Sequence, residues 1–207
     1  MAIRVIVPPG PIITPADIPG DHEPDDAVVK ARIAAVTHAI DGPAGLVGRS
    51  FGPQTLELAA PAFRRMMRLT FGPIIKIDQV SFLDGSDAEQ IVDPAAYRLA
   101  ENYAYFGEGL PSRTACAPDA VRIRYRAGYD GVAVSGGGTG EVPANVKLAI
   151  IMEVQYLQSV LATGDFFVRS EEVEGVGVTT YTVSEAAERV ISARRGALLQ
   201  NLMVPAL

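Results

Sequence analysis

Apolar positions change their spacing three times along this chain of 207 residues. After a proline-broken start, Val28, Val29, Ile33, Val36 and Ile40 recur at intervals of three and four, the signature of one helix face. Asp25 or Asp26 stands where an N-cap belongs, and the pattern stops at "DGPAG", so a helix is expected over 25–41. Between Leu46 and Tyr125 the spacing shortens to two. "QTLELAA", "MMRLTF", "IIKIDQVSFLDGSDAEQIV", "AAYRLAENYAYF" and "AVRIRYRAG" are rich in β-branched and aromatic residues, and Asp84-Gly85 falls where a hairpin turn belongs. This stretch predicts an antiparallel sheet. Helical spacing returns over 143–163, with Pro143 in a permitted first-turn position and Val146, Ile150, Val154, Leu157 and Leu161 as the buried stripe. "SEEVEGVGVTTYTV" then reads as extended. A third helix, from Ser184 to about Met203, could open with a Thr182 to Glu185 capping box and turn Ala187, Val190, Ile191, Leu198 and Leu202 inward.

The fold class expected from this order is α+β, a small bundle of about three helices with an inserted antiparallel sheet and extended arms at both ends. Three consecutive parts follow: an extended arm over 1–24, an α+β domain over 25–164, and a segment with a helix over 165–207. Pro8, Pro9, Pro11, Pro15 and Pro19 keep the first part extended or confine it to the rim of a sheet.

Composition narrows the function. A hydrophobic share of 48% supports a packed core, and a net charge of −6 argues against a protein whose main task is to grip DNA. One cysteine, Cys116, excludes an internal disulfide framework. No apolar run reaches the ~18 residues of a membrane span, and "MAIRVIVPPG" is too short and proline-broken for a signal peptide, so synthesis and use in the cytoplasm are expected.

Candidate chemistry is sparse. "SGGGTG" precedes a helix, as phosphate loops do, but Glu141 and Pro143 stand where a Walker sequence needs its lysine and hydroxyl, so the cluster reads as a flexible connection. His22 and His38 lie near no serine or cysteine signature, and Cys116 in "TACAP" has no lysine beside it. No catalytic residue, cofactor or metal ligand is assigned. Two rivals stay open: a metal-dependent hydrolase around His22, Asp25 and Asp26, and a nucleic-acid-binding module around Arg122, Arg124 and Arg126. On the strand carrying those arginines, Val121, Ile123 and Tyr125 should face the core and the three cations the other way.

The succession "DPAAYRL", "PDAVRIRYRAGYDG", "VPANVKLAIIMEV" and "RSEEVEGVGVTTYTV" resembles the head-tail connector, or adaptor, proteins of tailed bacteriophages and gene transfer agents. The resemblance runs over about residues 25–203, with Asp93-Pro94, Tyr97-Arg98 and "VPANVKLAI" as its most specific parts. It implies a structural virion protein of the neck, made in the cytoplasm of a bacterial host, that forms a ring of twelve copies beneath the portal. DNA would pass through the ring without sequence-specific binding, and a neck or tail component would dock below. The portal contact it implies is the C-terminal region, here Leu198, Leu199, Leu202, Met203, Val204 and Leu207; the alternative is an end folded onto the protein's own core. Arg122, Arg124 and Arg126 become subunit contacts, with the acidic stretch from Asp21 to Asp26, Asp25 and Asp26 above all, or Glu171, Glu172 and Glu174, as partners from a neighbour.

Overall fold

The computed structural model describes residues 1–107, 114–162, 171–173, 177–179 and 185–204. The sheet dominates. Ten strands and three α-helices are described: β1 (Ala2–Val7), α1 (Ala27–Ile40), β2 (Gln54–Ala60), β3 (Met66–Arg68), β4 (Ile74–Leu83), β5 (Glu89–Ile91), β6 (Tyr97–Ala100), β7 (Tyr103–Phe106), β8 (Val121–Ala127), α2 (Ala144–Ala162), β9 (Glu171–Val173), β10 (Gly177–Thr179) and α3 (Glu185–Leu199). The class is α+β, as expected, but the helical-bundle description is corrected: the fold is dominated by antiparallel sheets, and two of them share the main hydrophobic cluster. Short strands with alternating apolar residues bury one face each, and a second sheet covers that face more completely than a helix pair would.

Five strands run in the order β1-β2-β8-β4-β5, and β3-β7-β6 form the second sheet, all neighbours antiparallel. Leu56, Leu58, Val80, Val121, Ile123 and Tyr125 from the first sheet share one cluster with Met67, Leu69, Ala104 and Phe106 from the region of the second. Phe63 joins it edge-on to Phe82 and Phe106, with ring centres 5.7 and 5.4 Å apart. Tyr125 is fully buried on the central strand, and its hydroxyl donates to the Thr70 carbonyl at 3.0 Å, just beyond β3. Burial pushes that phenol up to about 12, so it stays a neutral donor.

The proline-rich start is not a free arm. Its strand-like run is β1, paired with β2 from Ala2↔Ala59 to Val7↔Thr55, with a bulge between Val5 and Val7. An edge strand tolerates the prolines that follow because its outer side needs no donor. The Asp84-Gly85 turn does close the β4–β5 hairpin, where Asp84 Oδ1 accepts from the Ser86 amide and hydroxyl and from the Ala88 amide, and Oδ2 from Gln90.

The chain forms two compact units, one of residues 1–12, 38–142 and 203–207 and the other of residues 13–37 and 143–202. The consecutive parts expected over 1–24, 25–164 and 165–207 cut the chain elsewhere. The two sheets above belong to the first unit. In the second, Val29, Ile33 and Val36 of α1, Val146, Ile150 and Val154 of α2, and Leu199 of α3 are buried. Val28 and Val190, both expected inside, are exposed at 57% and 55%. Val28 belongs to the first turn and donates its amide to the cap Asp26, which turns its side chain off the Val29, Ile33, Val36 stripe. Helix α2 packs on α3, with Asn145 Nδ2 donating to the Leu198 carbonyl at 2.7 Å and Arg195 paired to Glu153 at 3.1 Å. Leu161, Thr182, Ala187 and Ile191 lie outside the described side chains.

Within the first unit, one buried carboxylate just after α1 organises the loop that leads into β2. Asp41 accepts from the amides of Phe51 and Gly52 at 2.7 and 2.9 Å and from Gln54 at 3.1 Å. Burial raises its pKa in spite of these donors. Asp41→Ala should lower stability by about 3 kcal/mol, because it strands buried donors, and urea unfolding at neutral pH measures this. Asp84 works the other way. Its hydrogen bonds, the Ser86 hydroxyl first, hold it at about 2, so its contribution is complete above the ordinary value of 3.8 and is lost as pH falls toward 2. The stability difference between the native protein and Asp84→Ala should therefore be largest near pH 5 and shrink toward pH 2 in the same unfolding assay.

Candidate interaction surfaces

Strand β8 alternates as the sequence predicts: Val121, Ile123, Tyr125 and Ala127 are buried, and Arg122, Arg124 and Arg126 point the other way. The partners differ from those expected. Arg122 Nη2 donates to Asp119 at 2.8 Å while its Nη1 lies 3.9 Å from Glu89, and Arg124 Nη2 donates to Glu57 at 3.0 Å. Antiparallel register places Glu57 directly opposite Arg124, and Arg4 opposite Glu57 on the other side. The hydrogen bond from Arg122 lowers the Asp119 pKa, as an ion pair should. Two of the three arginines are thus neutralised inside their own sheet. Arg126, exposed and opposite Thr55 and Lys76, has no carboxylate partner among the described residues.

The acidic partners foreseen for this row have other surroundings. Asp26 is the N-cap of α1, its Oδ1 accepting from the amides of Val28 and Val29 at 2.7 and 3.0 Å, and those bonds lower its pKa, Val29 first. Asp25 is exposed, as are Asp21 and Glu23. His22 Nε2 lies 2.8 Å from the Pro15 carbonyl, which engages one of its two ring nitrogens. Glu171 and Glu172 are on β9, outside the described side chains, and Glu174 lies outside the described residues. Among the described residues no group of three His, Cys, Asp or Glu is placed to hold a metal ion. No helix of the described residues is long and apolar enough to cross a membrane. Cys116 is exposed.

The glycine cluster is a folded loop and differs from the flexible connection expected. Asp130 Oδ1 accepts from the amides of Val132 and Thr139 at 3.0 and 2.9 Å, Gly131 donates to the Gly140 carbonyl, and Gly140 to that of Val132. Glycine is required for closeness: a Cβ on Gly138 would stand 2.3 Å from the Val132 oxygen, and Gly137 takes a left-handed φ of 82°.

At the C-terminal end, the Leu199 side chain, expected among the residues that meet a portal, is buried at 2% exposure. Leu198 and Leu202 are half-buried, Met203 is 47% exposed, Val204 lies at the surface, and Leu207 is outside the described residues. The Val204 amide donates to the Val47 carbonyl at 3.0 Å, so residues 203–204 are held on the first unit beside a groove of about 590 Å³. Val204, Gly48, Arg49, Arg68, Phe71 and Pro73 contribute to its wall.

A cationic cluster escaped the sequence reading. On the second sheet Met66, Tyr105 and Arg98 stand in one cross-strand row. Arg98 lies over the Tyr105 ring at 4.8 Å, and Arg65 approaches the same ring at 5.8 Å while its Nε donates to the Tyr105 hydroxyl at 3.3 Å. The signal was the alternation in "MMRLTF" and "YRLAENYAYF", but strand order, which brings β3 and β6 to either side of β7, is not written in either segment.

No protein-family model matches the chain, and no curated protein matches it either. Solved structures do. A chain in the structure of the virion of a native gene transfer agent particle aligns over 100% of this chain and 98% of its own, with a TM-score of 0.54 and 16% identity. A chain in the neck of an empty gene transfer agent particle, computed with C6 symmetry, aligns over the same shares at 0.52 and 16% identity. A third, from a native particle's neck computed with C12 symmetry, aligns at 0.48. The fold is that of a gene transfer agent particle chain. Coverage of both chains almost end to end means that the likeness includes both compact units and the order in which the chain visits them.

The pairing within β8 yields a direct check. Arg124→Glu sets a second carboxylate against Glu57 and should cost about 1–2 kcal/mol, whereas Arg126→Glu should change stability by less than about 0.5 kcal/mol. Thermal and urea unfolding of the two variants, run side by side, distinguish a paired row from a free one.

Proposed function

We propose that this chain is a head-tail connector, or adaptor, in the neck of a tailed phage or gene transfer agent particle. Twelve copies form a ring beneath the portal, extend the DNA channel, and offer a surface to the next neck or tail component. The observation that carries this reading is the end-to-end fold likeness to chains of gene transfer agent virions and necks, at 100% and 98% coverage. A neck averaged about a sixfold axis is built from repeated copies, which is the arrangement proposed here.

Two features of the chain suit that role. The β8 arginines that a nucleic-acid-binding module would need are largely taken up by Glu57, Asp119 and Glu89, and the net charge is −6, so DNA could slide past without being gripped. The hydrolase rival is disfavoured, since Asp26 is engaged as the cap of α1 and the described residues bring no third ligand to His22 and Asp25. Leu202, Met203 and Val204 remain the proposed portal contact, with the backbone of Val204 anchored on Val47.

Met203→Asp tests the assignment without touching the buried Leu199. Copurification with portal rings of the same particle should fall at least tenfold while the melting temperature stays within ~2 °C of the native value. Unchanged portal binding by this variant would move the contact elsewhere on the chain.

A further inference from the structure

The arginines left over after internal pairing are not spread evenly. Arg65 and Arg98 flank Tyr105, and Arg68, exposed on β3, reaches the wall of the Val204 groove where Arg49 also stands. None of the four has a carboxylate partner among the described residues, and the Nε of Arg49 is buried without a hydrogen-bond partner. Glu101, in the β6–β7 turn at the Arg68 end of the sheet, pairs with none of them. In a protein of net charge −6, an uncompensated cationic surface needs an anionic occupant.

The chain itself carries a matching anion. Asp21, Glu23 and Asp25 are exposed on the turn before α1, have no cationic partner among the described residues, and are interleaved with Pro24. We infer that the Arg65–Tyr105–Arg98 surface, with Arg68 and Arg49 beside it, receives the Asp21–Asp25 turn of the adjacent copy. The inference rests on the ring reading and names the contact that would close the ring. Because donor and acceptor surfaces are different patches of one chain, the contact is head-to-tail and propagates around an axis instead of stopping at a dimer.

Three observations favour a peptide over DNA. Both guanidiniums lie against the Tyr105 ring, which takes that ring away from base stacking and fixes the planar forks for bidentate carboxylate binding. Met66 sits 54% exposed in the same row, an apolar contact that suits Pro24 and offers nothing to a phosphate backbone. Each copy also contributes both partners, four arginines and three carboxylates, so a closed ring leaves only a small excess of positive charge at each contact.

Two full-length variants, mixed, test this. Arg65→Gln/Arg98→Gln keeps only the acidic turn, and Asp21→Asn/Glu23→Gln/Asp25→Asn keeps only the basic surface. Each alone should stay monomeric by sedimentation and native mass spectrometry. Their mixture should give a one-to-one heterodimer that grows no further and that weakens at least tenfold between low and high salt. Should the arginine pair melt low, Arg68→Gln, on a side chain with no hydrogen bond or ion pair among the described residues, replaces it and should weaken wild-type assembly at least threefold. No heterodimer, with wild-type rings intact, overturns the contact and leaves the neck assignment standing. A native protein that never self-associates, alone or on portal rings, overturns both. Labelled duplex DNA bound by the native protein and by the acidic-turn variant, but not by the arginine variant, assigns the surface to DNA and overturns the contact.

Discussion

The first unit depends on one strand being buried on one side only. β8 is central in the five-stranded sheet, and every second residue from Val121 to Ala127 enters the shared core while the intervening arginines stay out. That alternation fixes register, because a slip of one residue would send Arg122 and Arg124 into the cluster around Phe106 and strand their charges there. The antiparallel neighbours are locked in turn: Leu56 and Ile77 sit opposite Tyr125, and Glu57 opposite Arg124. Tyr125 links the layers because its buried hydroxyl has the Thr70 carbonyl as acceptor.

Register also decides which charges are available to partners. On the outer face of the five-stranded sheet, cross-strand placement gives Arg122 and Arg124 carboxylates of their own, and such half-exposed pairs hold local geometry more than they add stability. On the second sheet the cross-strand positions hold an aromatic ring and a methionine, and the cations there are ordered by Tyr105 without being neutralised. Ordered and uncompensated charge is the condition for specific association with another copy. The same logic separates Asp26, spent on capping α1, from Asp21, Glu23 and Asp25 just before it.

Much of this was legible in the sequence. The alternation in "AVRIRYRAG" foretold β8 and its two faces, the Asp84-Gly85 pair foretold the β4–β5 hairpin, and α1, α2 and α3 fall where helical spacing placed them. Periodicity reports which face of an element is buried, not what buries it, so two packed sheets were read as one sheet inserted in a small helical bundle. The partners of Arg122 and Arg124 were missed for a related reason. Glu57 is 67 residues from Arg124 in the chain and meets it only through β2–β8 pairing. Glycine count suggested flexibility over 134–141, but Asp130 and Thr139, ordinary in the sequence, supply the bonds that give the loop one shape. Val190 shows the same limit at the helix level, exposed on α3 while Leu199 is the residue buried.

The central claim is a position in a particle, and a position can be imaged. Particles assembled with an epitope-tagged copy of the chain, labelled with antibody and averaged by cryo-electron microscopy, should carry label in a ring at the junction of head and tail. Label along the tail tube, on the capsid faces, or absent from purified particles would contradict it.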